Sequence, residues 1–234
     1  MDGNAQNSDQ TTLASQACFR FWFGDATAAE AVVVAAFGAN ALPIALTRDG
    51  CEFVLGAAKN GIGSPQYIAA NPVDLPKGPS IELTVANSGA CKFPAMLRTM
   101  TGIAAQIAAL EGAAAVGWTV SGTVCGADFF SRVAGTWLDG GAFPAMVLVA
   151  LQGNGEGGLV TRGLEPFGGQ EVWLDLAPLP MPEQAKIAIR MVDHLVTEGP
   201  VTDNEIVEVD GFGSFEIGPR DSGKKIYLRK SPFP

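Results

Sequence analysis

Helix-period and strand-period segments interleave along this chain, and Asp-Gly or Ser-Gly pairs separate several neighbouring strand-like runs. Strands joined by such short turns run antiparallel, whereas a doubly wound parallel sheet needs a helical crossover between strands. Residues 17–23 (ACFRFWF) alternate around aromatics and read as a strand. A helix over 27–37 follows, opened by the capping-box spacing Thr27-x-x-Glu30 and stopped by Gly38. Runs 41–47 and 51–55 flank Asp49-Gly50 and form a hairpin. Residues 56–79, rich in Gly, Pro and Asn, form a long loop with room for a short strand, and 80–86 (SIELTVA) alternate as a strand. Over 93–110, Met96, Met100, Ile103, Ile107 and Leu110 recur at steps of four and three, one apolar helix stripe. Methionines so spaced fill cores. Residues 113–120 then read as a buried strand containing Trp118.

The second half repeats the alternation. A helix over 128–138 carries Phe130, Val133, Ala134 and Trp137 on one face and stops at Gly140-Gly141. Residues 144–151 (PAMVLVAL) read as a continuous apolar strand, with shorter strands at 159–161 and 171–174. A helix over 182–198 has proline at its first position and Gly199-Pro200 past its end. Strands 205–209, 213–217 and 225–229 close the chain as an antiparallel meander turning at Asp210-Gly211 and Ser222-Gly223. The expected class is α+β: one or more mixed, mostly antiparallel sheets with helices on one face. Two fused split β-α-β (ferredoxin-like) halves, 13–120 and 121–234, would give this order in one compact unit after a polar tail at 1–12.

Composition narrows the function. A net charge of −9 excludes the basic footprint that nucleic acid requires. No run approaches the ~18 apolar residues of a membrane span. The polar start MDGNAQNSDQTT has no signal-peptide pattern. Cys18, Cys51, Cys91 and Cys125 are far apart and lie in or beside apolar stretches, the expectation for reduced thiols in a cytoplasmic protein, without disulfide or zinc. Charge is uneven. Residues 165–216 hold 11 acidic and two basic residues, whereas from 217 onward Arg220, Lys224, Lys225, Arg229 and Lys230 face only Asp221. A basic last strand beside an acidic segment accounts for that, with a patch for an acidic partner as the alternative.

Most chemical motifs fail on context. Gly153, Gly155 and Gly158 have dinucleotide spacing but sit between two strand-like runs instead of opening a helix. Gly218 to Lys225 resembles a phosphate loop but lacks the Ser or Thr for magnesium and leads into a strand. The one histidine, His194, shares a polar helix face with Glu183, Lys186, Arg190 and Glu198. Cys91 precedes a helix, yet nothing local ties it to His194. No metal, cofactor or catalytic set is expected.

One segment stands out. Residues 159–173 (LVTRGLEPFGGQEVW) put Arg162, Glu165 and Glu171 on a glycine-rich connection between strands. Arg162 offers a planar donor fork for a carboxylate or phosphate. In the structural reading it pairs with one of the glutamates while Leu164 and Phe167 plug the core. In the functional reading Thr161, Arg162, Gly163, Glu165, Phe167, Gly168 and Glu171 form a binding site.

The motif TRGLEPFGGQE, Thr161 to Glu171, resembles a bacterial family of unknown function, number four-two-six-one of the domain-of-unknown-function series. AVGWTVSG, Ala115 to Gly122, followed by Asp128 and Phe130, is similar to another block of that family. The resemblance spans roughly 18–209. It implies a cytoplasmic bacterial α+β domain, with some members resembling immunity proteins encoded near toxins, and marks Gly163, Phe167, Gly168 and Glu171. The expected function is a non-catalytic binding domain for a basic protein partner. The alternatives are an enzyme that grips a small anionic ligand with Arg162 and uses Glu165 or Glu171 as acid or base, and a structural subunit of an oligomer joined through a leftover sheet edge or residues 231–234.

Overall fold

A computed structural model of the protein describes residues 17–58, 68–77, 79–87 and 94–231. The tail at 1–12, Cys91, residues 232–234 and the side chain of Thr27 lie outside that description. The chain is α+β, with two mostly antiparallel sheets, and it divides after Val147 into two compact units.

In the first unit, β1 (Cys18–Phe23), α1 (Ala26–Ala36), β2 (Ile44–Arg48), β3 (Cys51–Ala57), β4 (Ile68–Ala69), β5 (Ile81–Asn87), α2 (Ala95–Ala108), β6 (Ala113–Trp118), β7 (Thr123–Gly126) and α3 (Ala127–Leu138) follow in order. Its seven strands lie in the order β2-β3-β5-β1-β6-β7-β4. β1 is central because its aromatics are buried on both faces. On one face Phe19 meets Trp118 at 4.5 Å and Phe130 of α3 at 5.4 Å between ring centres. On the other, Trp22, Ala115 and Val124 pack together under Val73. The expected stripe on α2 is buried at Met96, Met100, Ile103 and Ile107, and α2 and α3 pack on β6. Arg20 pairs with Glu82 across the β1–β5 ladder.

β7 was not expected as a strand. Its alternation is masked because Thr123, Val124 and Cys125 are all buried. It pairs with β6, and the Thr123 hydroxyl donates to the Val147 carbonyl at 2.7 Å, so residues 121–147 belong with the first unit. Residues 144–151 also differ from the expected continuous strand. Ala145–Leu148 is one turn of helix, α4, and only Ala150–Gly153, β8, is strand. A short run of consecutive apolar residues has no alternation to separate helix from strand, and here the helical turn leaves Met146 43% exposed between buried neighbours.

The second unit continues with β9 (Leu159–Arg162), a short α5 (Glu165–Gly168), β10 (Glu171–Asp175), α6 (Met181–Glu198), β11 (Glu205–Val209), β12 (Gly213–Arg220) and β13 (Lys225–Lys230). The sheet order is β11-β12-β13-β10-β9-β8, with β13 parallel to β10 and the other neighbours antiparallel. α6 packs on β9 and β10 with Ile187, Ala188, Met191, Val192 and Leu195 buried. The Gly153–Gly158 stretch is a loop between β8 and β9, with Asn154 Oδ1 accepting the amides of Glu156 and Gly158, both at 2.9 Å. A Cβ at Gly158 would overlap the Leu174 carbonyl oxygen, which is why glycine stands there.

The cysteines depart from expectation at one position. Cys18 and Cys125 are free and buried, but Cys51, at the start of β3, is disulfide-bonded. Wide spacing in sequence does not prevent pairing once a hairpin carries a cysteine to a distant segment. Burial pushes the Cys18 thiol from 9.0 up to about 12, with Glu82 adding and Arg20 partly offsetting. Burial alone pushes Cys125 from 9.0 up to about 12.

Three outcomes follow from these contacts. Native protein at pH 8 should leave Cys18 and Cys125 unlabelled by iodoacetamide, as read by peptide mass spectrometry, with both labelled after denaturation. Because both folded-state values lie above the unfolded one, their contribution is intact below pH 9 and disappears as pH rises through about 12. Gly158→Ala should cost about 2–3 kcal/mol in urea unfolding. Gly153→Ala, whose added carbon meets nothing within 4 Å, should be near neutral.

Candidate functional site

The candidate segment is organised by one carboxylate. Glu171 Oε1 accepts three consecutive backbone amides, from Gly163 at 2.7 Å, Leu164 at 2.9 Å and Glu165 at 3.2 Å. Its Oε2 accepts the Thr161 hydroxyl at 2.6 Å. Thr161 Oγ1 in turn accepts the Val172 amide at 2.7 Å, so a side chain takes over where the β9–β10 ladder ends.

Local sequence dictates the arrangement. Gly163 leaves β9 at φ 91°, a region L side chains rarely enter, and this turns the next amides toward one point. Those amides lead into α5, where the first turn of a helix has unsatisfied donors and a positive end. Pro166, in the first turn, has no amide to satisfy. Leu164 is fully buried and anchors the turn. The result is an anion-binding nest of backbone amides, filled by the protein's own glutamate.

The seven expected site residues therefore separate. Thr161, Gly163 and Glu171 meet in the nest, with Thr161 buried and Glu171 half-buried. Glu165 contributes its amide while its side chain is exposed. Arg162 is exposed on β9. Phe167 is half-buried, and Gly168 lies buried beside Leu195 of α6. The polar atoms that bind Glu171 come from the backbone and Thr161, which sequence spacing did not disclose. Also missed was Gln170, 4% exposed: its amide donates to the carbonyls of Val201 and Gly223, both at 2.9 Å, and its oxygen accepts the Val201 amide at 2.8 Å. A single polar letter among glycines gave no sign of that role.

Chemically, the nest holds a loop and leaves neither oxygen of Glu171 without a protein donor. Two hollows of the second unit, of about 330 and about 430 Å³, are lined by residues between His194 and Arg229 and by none of residues 161–171. On the sheet face away from α6, charges alternate across strands. Lys225 stands opposite Glu171 and Arg229 opposite Asp175. Arg229 also pairs with Glu216 at 2.6 Å, and the Tyr227 hydroxyl donates to Asp175 at 2.6 Å, a bond that raises the phenol's pKa. The basic last strand is thus seated among acidic neighbours. His194 on α6 is half-buried. Among the described residues, no group of three or more His, Cys, Asp or Glu is arranged to hold a metal ion.

Comparison with protein-family models, curated proteins and solved structures returns no match.

The nest makes a direct claim on stability. Glu171→Ala should destabilise the fold by about 2–4 kcal/mol in chemical denaturation, because hydrogen bonds to a charged acceptor are each worth about 1.5–3 kcal/mol, here partly offset by water. Glu171→Gln should fall between. Arg162→Ala, at an exposed position, should stay within about 1 kcal/mol. Equal losses from Glu171→Ala and Arg162→Ala would contradict this account.

Proposed function

We propose that this protein is a non-catalytic binding domain whose acidic surface recognises a basic protein partner. One observation carries the reading: of the two candidate acid–base residues, Glu165 and Glu171, Glu171 has both oxygens engaged by backbone amides and Thr161. A general acid or base has to present an oxygen to substrate, and Glu171 presents both to its own loop. The enzyme alternative, with Arg162 gripping an anion, is left with the exposed Glu165 as its acid or base. The buried thiols fit a structural part, since protonated cysteine is a poor nucleophile.

The net charge of −9 favours a basic partner. The likeness of Thr161–Glu171 to the bacterial domain-of-unknown-function family is consistent with an immunity-like binding role. The Cys51 disulfide favours an oxidising compartment over the reducing cytoplasm expected from cysteine spacing, and the binding reading holds in either.

Affinity capture from extracts of the source cells, at low salt, should recover a basic protein at a fixed ratio, released as salt rises. Turnover in a broad hydrolase screen, with no protein retained, would overturn the reading.

A further inference from the structure

We propose that β11 is the docking edge, and that it takes an extended basic segment of the partner as an added strand. The proposal rests on the binding reading above and names its surface. β11 ends the six-stranded sheet, with Glu205, Ile206 and Glu208 exposed and Ile206 at 58%. A sheet edge offers unpaired backbone donors and acceptors to any extended chain that can approach it.

Charge selects what can approach. Asp203, Glu205, Glu208 and Asp210 lie in or beside β11, and no Lys or Arg occurs between Arg190 and Arg220 in sequence; Arg190 reaches the Asp210 carbonyl at the turn, which leaves Asp203, Glu205 and Glu208 as the acids of the edge. A second copy of this edge would set acid against acid, so self-pairing is disfavoured. A strand bearing Lys or Arg is favoured by the same charges.

Hollows adjoin the edge on both sides of the sheet, and Glu205 lines both. On the α6 side, about 430 Å³ is bounded by His194, Glu198, Thr202, Asp203 and Glu205, an acidic lining. On the opposite side, about 330 Å³ is bounded by Asn204, Ile206, Glu216, Gly218, Arg220 and Tyr227, a mixed lining. Side chains of an added strand point alternately to the two faces. Basic side chains on alternate positions would enter the first hollow beside Glu205, and apolar ones would cover Ile206 at the second, on the face that Ile206 shares with Glu208.

The probe is a labelled peptide alternating Lys with Ile or Val, compared with its Glu-for-Lys counterpart by fluorescence anisotropy. The basic peptide should bind at least tenfold tighter than the acidic one, and the double variant Glu205→Lys/Glu208→Lys should remove or reverse that preference. Of two peptides N-methylated on alternate residues, one on each edge of the strand, only one should lose binding, by tenfold or more. Equal binding of both methylated forms would mean adhesion by charge alone and overturn strand addition. So would undiminished binding to the variant, or no preference in the wild type. If the variant, shown folded by circular dichroism, still captures the cellular partner, the β11 assignment fails while the binding reading stands.

Discussion

The second unit is organised around a negative charge that the chain neutralises itself. Glu171 gathers the amides of Gly163, Leu164 and Glu165 at the start of α5, and the Thr161 hydroxyl joins them from β9. These contacts fix the path from β9 to β10, and β10 is the strand on which β13 docks in parallel. The backbone amide of Glu171 donates to Lys224 just before β13 begins, and the neighbouring Gln170 holds Val201 and Gly223. Two consecutive residues thereby tie together the strand pair, the segment after α6 and the last hairpin. Removing the carboxylate would leave three directed amides without their acceptor, which costs more than the loss of an exposed ion pair.

Much of the fold was legible because burial on one face leaves a period. The α2 stripe, the strand over 81–87 and the terminal meander with its two turns all carry that mark. Where successive residues are all buried, as in Thr123–Cys125 of β7, the mark disappears, and the unbroken apolar letters of 144–151 hide the turn of helix at Ala145–Leu148. Strand order was not legible either. The parallel β10–β13 pair joins segments about fifty residues apart, and only packing decides it. The Cys51 disulfide belongs to the same class: spacing in sequence said nothing of proximity in space.

The candidate segment illustrates a different limit. Its glycines and glutamates stand out in the sequence, and the structural reading looks to an Arg162–glutamate pair with Leu164 and Phe167 in the core; Leu164 is buried, Phe167 is half-buried, and the Glu171 carboxylate is held by amides and Thr161. The chemistry of the pin was invisible, because backbone amides have no letter. A sequence shows side chains that could bind an anion, Arg162 here, and hides the three amides that do. Gly163 was the available signal: a glycine directly before a helical turn and eight residues ahead of a glutamate is a geometry in which amides converge on a carboxylate.

The fate of the charges connects this nest to the surface. Glu171, Glu216 and Asp175 each have a protein partner, so their charges are locally answered by amides, an arginine or a phenol. In sequence β11 and the turn after it hold no Lys or Arg; Arg190 and Lys230 reach the turn carbonyls of Asp210 and Phe212, and Glu208 accepts the Ser214 hydroxyl at 3.1 Å. A chain that answers its carboxylates on the inner strands while leaving an acidic row on the edge strand disfavours pairing of that edge with a second copy. The same row would lower the free energy of a basic strand beside it, so under the proposed binding role resistance to self-pairing and selection of a partner would arise from one distribution of charge.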